Sequence, residues 1–220
     1  LSAKHIDRYR RHKKFFRAVF SRIAAVATQD ETYAKRFVSL GVDSARITVT
    51  GNIKFDNLRT APDDATLKSL RAQCGLDGPG PVIVFGSTRP GDEVLAAACW
   101  QTWKSRFPDA RLVVAPRHRE RLQEALSPFT GPILLRSRIV QGQRPNDERV
   151  LFLDTLGELV DFYALATVAI IGGSFHPGVN GHNPLEPAAL GVPTVFGPYM
   201  SNFPDPAQAN RVRHRGINSR

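Results

Sequence analysis

The sequence predicts an α/β protein built on a doubly wound parallel sheet. Three observations carry that prediction. Short apolar runs alternate with helix-like segments along most of the 220 residues. A complete β-α-β unit stands near the start, and a crossover of that kind joins parallel strands. Polar, glycine-containing clusters follow several of the apolar runs, where a doubly wound sheet binds its ligands.

Residues 7–23 read as a helix. Tyr9, Phe16, Val19, Phe20 and Ile23 recur at helical spacing, with Arg8, Arg11, Lys14 and Arg22 among the polar positions. Such a helix packs its apolar stripe on a core, and it can also lie on an anionic membrane surface. "IAAVATQ" (23–29) is a short strand. "DETYAKRFVSLGV" follows as a helix, with Asp30 and Glu31 at its positive N-terminal end and Gly41 at its stop. "RITVTGNIKFD" (46–56) returns as a strand. A polar stretch with Pro and Asp, 56–65, breaks the chain near residue 57. Beyond it the alternation resumes: helix 65–74, strand 81–88, helix 91–106, strand 110–117, helix 118–126, strands near 132–136 and 149–153, helix 157–166, strand 167–173, helix 184–190 and strand 192–198. The expected organisation is a piece over 1–57, a domain over 58–203 and an irregular basic tail over 204–220, a segment with little periodicity.

The hydrophobic content of 42% is that of an ordinary soluble globular protein. No run reaches the roughly 18 apolar residues of a spanning helix. The chain shows no initiator Met and no secretory pattern. Leu1 reads as a position in mid-sequence, so a piece of a longer protein is expected. Cys74 and Cys99 lack metal-ligand spacing and sit in helix-like contexts, as buried thiols of a reducing compartment do. The net charge of +10 belongs to the ends: residues 1–22 carry eight Lys/Arg against one Asp, residues 207–220 carry four Arg and no acid, and 23–206 carry 18 basic and 19 acidic residues. A nucleic-acid binder places its basic face on a folded domain, which this distribution argues against.

Four polar clusters fall at strand ends. "GSTRPGDE" (86–93) offers Ser87, Thr88 and free amides where a helix opens. "APRHRER" (115–121) puts Arg117 at a strand tip, where a guanidinium can pair bidentately with a phosphate; a solvated arginine is the bland alternative. In "DTLGELVDFYALA" (154–166), Gly157 allows close backbone approach, while Glu158 at a helix start suits the helix dipole, worth ~0.3–1 kcal/mol. The fourth, "GGSFHPGVNGHNPLEPAALGVP" (172–193), brings Gly173, a Ser174 hydroxyl and Phe175 into a loop free for unusual dihedrals. It then runs into Asn183-Pro184-Leu185-Glu186, which reads as a capping box. Pro187 complicates that reading, because it lacks the N–H that would bond the Asn183 carbonyl. If the helix begins at Pro187 instead, Glu186 is free to accept from a ribose diol beside a phosphate on the loop amides. His176 and His182 lack companions at metal-ligand spacing, so a hydrogen-bonding role in the loop is expected for each.

Together "VTGNIKFD", "GSTRPGDE", "FPDARLVVAPRHRER", "DTLGELVDFYALATVAIIGGSF" and "GHNPLEPAALGVPTVFGP" resemble the 3-deoxy-D-manno-octulosonic acid (Kdo) transferases, in the family's order from about residue 23 to 203. The resemblance implies a GT-B glycosyltransferase fold of two Rossmann-like domains. It implies transfer of Kdo from CMP-Kdo to a lipid A precursor, lipid IVA, in lipopolysaccharide biosynthesis, at the cytoplasmic face of the cell inner membrane. No cofactor, no catalytic metal and no nucleic acid are implied; the partners are the CMP-Kdo donor, the lipid acceptor and the membrane surface. Carried over, Arg117 contacts the phosphate, and Gly173, Ser174 and Phe175 shape the phosphate loop. Asn183 and Glu186 reach the phosphate and ribose side, Gly157 and Glu158 lie near the nucleotide, and Ser87 and Thr88 line the cleft. The family's general base, a glutamate early in the N-terminal domain, falls outside this chain. Only the end of that domain is expected here, so the chain supplies mainly the donor-binding half. Arg89 stands where the family has His, the loop before "GHNPLEP" differs, and an Arg-rich tail replaces the helices expected after "SNF". The competing readings are another GT-B transferase or epimerase using a UDP-sugar, and a non-enzymatic module binding membrane or nucleic acid through its basic ends.

Overall fold

The computed structural model describes residues 6, 7, 9, 11–51 and 63–203. The expected strand beyond 51, the break near 57 and the basic tail lie outside the described residues. Compactness divides the chain into two units, Leu1–Leu58 and Arg59–Arg220.

In the first unit, helix α1 (Lys13–Phe20) precedes strand β1 (Val26–Thr28), helix α2 (Glu31–Ser39) and strand β2 (Ile47–Val49). The two strands pair in parallel, Val26 opposite Ile47. The Asp30 carboxylate caps α2 by accepting from the Tyr33 amide at 3.0 Å, and Gly41 ends the turn with φ +97°. The aromatic stripe of α1 packs onto α2: Phe16 stacks on Phe20 at 6.0 Å, and Phe20 meets Phe37 edge-on at 5.9 Å. Phe15 and Val19 stay exposed beside Arg11 and Lys14.

The second unit begins with helix α3 (Asp64–Gln73), then strand β3 (Val82–Thr88), helix α4 (Asp92–Arg106), strand β4 (Arg111–Pro116) and helix α5 (Leu122–Leu126). Strand β5 (Ile133–Leu135), helix α6 (Arg136–Val140), strand β6 (Val150–Phe152), helix α7 (Leu159–Leu165), strand β7 (Val168–Ile171), helix α8 (Leu185–Ala189) and strand β8 (Thr194–Phe196) complete it. Six parallel strands lie in the order β5-β6-β4-β3-β7-β8. Alternation along the strands divides the core into two layers. Val82, Val84 and Val113 face Leu70, Phe162 and Tyr163 on one side. Ile83, Phe85, Leu112 and Val114 face Ala96, Ala97 and Trp100 on the other.

Helix α6 is not among the expected elements; five residues span too little of a turn repeat to show periodicity. The expected helix at 118–126 is split into a 3-10 turn over Arg119–Arg121 followed by α5. Among the described residues, no helix is long and apolar enough to cross a membrane.

Gly86 marks the tightest packing of β3. A Cβ there would sit 1.8 Å from the Tyr163 hydroxyl of α7, a side chain 1% exposed. Gly86→Ala is therefore expected to lower the unfolding free energy by about 2 kcal/mol, in the range of overpacked cores. Urea denaturation followed by circular dichroism checks it, and a change within about 0.5 kcal/mol, as at ordinary surface sites, contradicts the packing.

Candidate functional site

Strand β3 has β4 on one side and β7 on the other, so the chain reverses direction across the sheet at β3. The crevice beyond the carboxyl ends of such strands is where doubly wound sheets hold ligands.

The end of β3 is irregular. Its register against β4 shifts between Gly86 and Thr88, and Ser87 takes φ +55°, which non-glycine residues rarely adopt. The bulge turns Ser87 into a cleft also lined by Pro116, Arg117, Thr155, Gly157 and Glu158. Thr88 goes the other way. It is fully buried, and its hydroxyl donates to Glu93 Oε1 at 2.8 Å. The expectation that Thr88 lines the cleft is corrected accordingly: the extra residue in the bulge rotates it into the base of α4.

Arg117 stands exposed at the tip of β4, anchored by its amide, which donates to the Thr88 carbonyl at 3.0 Å. Gly157 opposite has φ +86°. Glu158 does more than complement a helix dipole. Its Oε1 accepts from Arg136 Nε at 3.0 Å and Nη2 at 2.7 Å, and Thr155 donates to Oε2. Burial pushes this carboxyl up, but the Arg136 and Thr155 hydrogen bonds outweigh it and hold it below the ordinary range. Arg136 is 7% exposed. Asp154 adds a second tie to α6, accepting from the Ser137 amide at 2.8 Å and hydroxyl at 2.5 Å. Sequence reasoning missed Arg136, which lies 22 residues from its partner in an arginine-containing run with no local signal.

The glycine loop after β7 is held from beneath. Gly172 cannot carry a side chain, since a Cβ would lie 2.5 Å from the Ser87 carbonyl oxygen. The Gly173 amide donates to Asp92 Oδ2 at 2.6 Å, so it is turned inward and away from any ligand. Ser174 is fully buried; its hydroxyl donates to the Ile171 carbonyl at 2.5 Å and accepts from the Gly197 amide at 2.9 Å. Phe175 packs on the apolar layer under α4. These residues shape the loop and offer a ligand neither the Gly173 amide nor the Ser174 hydroxyl. Asp92 was read only as part of a helix opening. Fully buried, it also accepts from the Arg89 amide at 2.8 Å, and its Oδ1 has no hydrogen-bond partner among the described residues. Burial raises its pKa above the ordinary carboxylate value, with the Gly173 and Arg89 amides pulling it back.

Helix α8 starts at Leu185 and not at Pro187. Asn183 Oδ1 accepts from the Leu185 amide at 3.1 Å, and the Ala188 amide reaches the Pro184 carbonyl at 3.4 Å. Pro187 lies in the first turn, where a missing N–H costs the helix little. Glu186 is thus not released; its Oε1 accepts from Asn183 Nδ2 at 3.2 Å. Burial raises the Glu186 pKa, while Asn183 and the facing Arg117 guanidinium draw it back.

His182 and His118 converge on Arg89. Arg89 Nε donates to His182 Nε2 at 3.2 Å, and Nη1 lies 2.5 Å from His118 Nε2. Burial, then Arg89, Arg117 and His118, push His182 down to about 4. His176 is exposed beside Gly91.

Residues 1–57 match the family model of 3-deoxy-D-manno-octulosonic-acid transferase (kdotransferase). The chain is 32% identical over 209 residues to the 3-deoxy-D-manno-octulosonic acid transferase of Haemophilus influenzae, covering 93% of this chain and 48% of that protein. It is 32% identical over 222 residues to the enzyme of that name from Chlamydia trachomatis, covering 99% and 50%. The chain therefore spans about half the length of the curated relatives it matches. Among solved structures, it is similar to the C-terminal CMP-Kdo binding domain of WaaA from Acinetobacter baumannii, at 32% identity and a TM-score of 0.58, over 66% of this chain and 75% of that domain. With such identity over most of a solved domain and over nearly all of this sequence, the chain belongs to the 3-deoxy-D-manno-octulosonic acid transferase family.

Proposed function

We propose that the protein transfers Kdo from CMP-Kdo to a lipid A precursor, and that its second unit binds the donor. The observation that carries this reading is the cleft at the ends of β3, β4 and β6, where an exposed guanidinium faces a glycine turn. The similarity of this unit to a CMP-Kdo binding domain supports it.

In this reading Arg117 takes the phosphate. The backbone at Gly157 allows the nucleotide to approach, Ser87 lines the wall, and Glu158 keeps the turn in place. Glu186, positioned by Asn183, accepts from the ribose hydroxyls. As the bond from phosphate to sugar breaks, CMP gains negative charge, and Arg117 stabilises that charge. The acceptor side is a proposal of the family resemblance: a base activates the lipid hydroxyl. The exposed Phe15 and Val19 on α1, flanked by basic residues, support contact with the inner-membrane surface.

Calorimetric titration with CMP and with UDP tests the reading. CMP is expected to bind and UDP to bind at least tenfold more weakly; equal binding overturns the donor assignment. Glu186→Gln keeps an acceptor but loses its charge, so CMP affinity is expected to fall about tenfold, the lower end for a hydrogen bond to a charged group. An unchanged affinity removes Glu186 from the site.

A further inference from the structure

Arg89 is held in an unusual way. Its amide is fixed by Asp92 Oδ2 at 2.8 Å, Nε bonds His182 at 3.2 Å, and Nη1 bonds His118 at 2.5 Å. His118 turns its Nδ1 to Glu120 Oε1 at 3.3 Å, which leaves Nε2 as the acceptor facing the guanidinium. Arg89 is therefore positioned by imidazoles, and among the described residues two of its five N–H donors are used. Among the described residues, no carboxylate hydrogen-bonds the side chain of Arg89 or Arg117. The Arg117 amide donates to the Thr88 carbonyl at 3.0 Å, and His118, next to Arg117, contacts the Arg89 guanidinium, so the two arginines stand at neighbouring strand ends. A half-buried cation such as Arg89 is ordinarily paired, and it stands beside the exposed Arg117, so this strand end offers two cations to an anionic ligand.

We propose that Arg89, oriented by His118 and His182, binds the carboxylate of the sugar acid, beside the donor phosphate on Arg117. The inference rests on the function proposed above and names what selects the sugar. In a 2-ketoulosonic acid the carboxylate sits on the anomeric carbon, which also carries the phosphate oxygen. The two anions are then three bonds apart and demand two cationic subsites side by side. A nucleotide carrying a neutral sugar would leave Arg89 unpaired, and a site built to bond a group discriminates against ligands lacking it. Arg89 is in this sense a specificity-determining residue, and His118 and His182 are positioning residues.

The test compares CMP and CMP-Kdo as calorimetric ligands of the whole chain and of Arg89→Met. The wild-type chain is expected to bind CMP-Kdo more tightly than CMP. In Arg89→Met that preference should fall about ten- to a hundredfold, the range for a charge-assisted pair, with CMP affinity changed less than about twofold. Equal losses for both ligands, or no loss for either, overturn the subsite. Absence of CMP binding to the wild-type chain overturns the nucleotide reading, and the subsite with it. A second measurement needs no variant. The His182 titration, followed by NMR in the wild-type chain, should move up from about 4 further with CMP-Kdo than with CMP, because a carboxylate on Arg89 offsets the charge that pushes His182 down. Equal movement with the two ligands overturns the proposal even where Arg89→Met does not fold.

Discussion

Arg117→Ala is expected to weaken CMP binding by about thirty- to a hundredfold, while changing stability by less than about 0.5 kcal/mol. The two halves of this expectation come from different atoms. The side chain is exposed and, among the described residues, hydrogen-bonds no carboxylate, so its removal breaks no hydrogen bond of a buried group. The backbone does the structural work, through the Arg117 amide on the Thr88 carbonyl, and alanine retains it. A planar guanidinium can grip two phosphate oxygens at once, and an ammonium cannot, so Arg117→Lys should recover only part of the loss. The variant should also raise the Glu186 pKa further, because one of the influences drawing it back is the Arg117 charge. Titration calorimetry with parallel urea melts reads both quantities. A stability loss above about 2 kcal/mol, with CMP affinity intact, would reverse the assignment of roles.

Glu158→Ala is expected to do the opposite: to cost about 3 kcal/mol of stability. Breaking a buried pair by removing one partner typically costs about 3–5 kcal/mol, because the other charge is left without compensation. Arg136 is that stranded charge, with its side chain 8% exposed against 27% for Glu158. The partial exposure of Glu158 puts the estimate at the low end. Replacing both, by Arg136→Met with Glu158→Leu, should restore a large part of the loss, and additive single costs would show that the two do not act as a pair. The pH dependence has a definite sign. The folded-state pKa of Glu158 lies below its ordinary 4.5, so its stabilisation is complete above that value and fades as the pH falls through the folded pKa. The acid limb of the stability profile should therefore flatten in Glu158→Ala. A flattening on the alkaline side would contradict the assignment.

The strands of the central sheet were legible because they are buried on both faces and read as unbroken apolar runs, as in "VIVF", "RLVVAP" and "VAII". Arg117 was legible for a related reason: Pro116 ends the run and places the next residue at its tip. What sequence could not show were decisions made by three-dimensional packing. The bulge at Ser87 sends Thr88 inward, and only the register against β4 reveals it. The Ser174 hydroxyl looked available, yet it is used by Ile171 and by Gly197, the latter 23 residues away. The capping-box pattern of Asn183 and Glu186 and the obstacle of Pro187 pointed to different helix starts. The structure resolves them at Leu185, since the Ala188 amide needs only the Pro184 carbonyl. Arg136 lies outside every quoted motif, and Asp92 and His118 lie inside two of them without a sign of their roles; each matters through a partner brought to it by the fold.

The place of β3 in the sheet sets an order of events during synthesis. Its first neighbour, β4, follows within a few tens of residues, but its second, β7, arrives much later: the Val82 amide bonds the Thr167 hydroxyl 85 residues downstream. At a translation rate of about 5–20 residues per second, one edge of this central strand waits roughly 4–17 s for its cover. Through that interval an unpaired apolar edge is open to other nascent chains. The arrangement that puts Ser87, Arg117 and the glycine loop around one strand end also makes this unit dependent on its last third before its centre is safe.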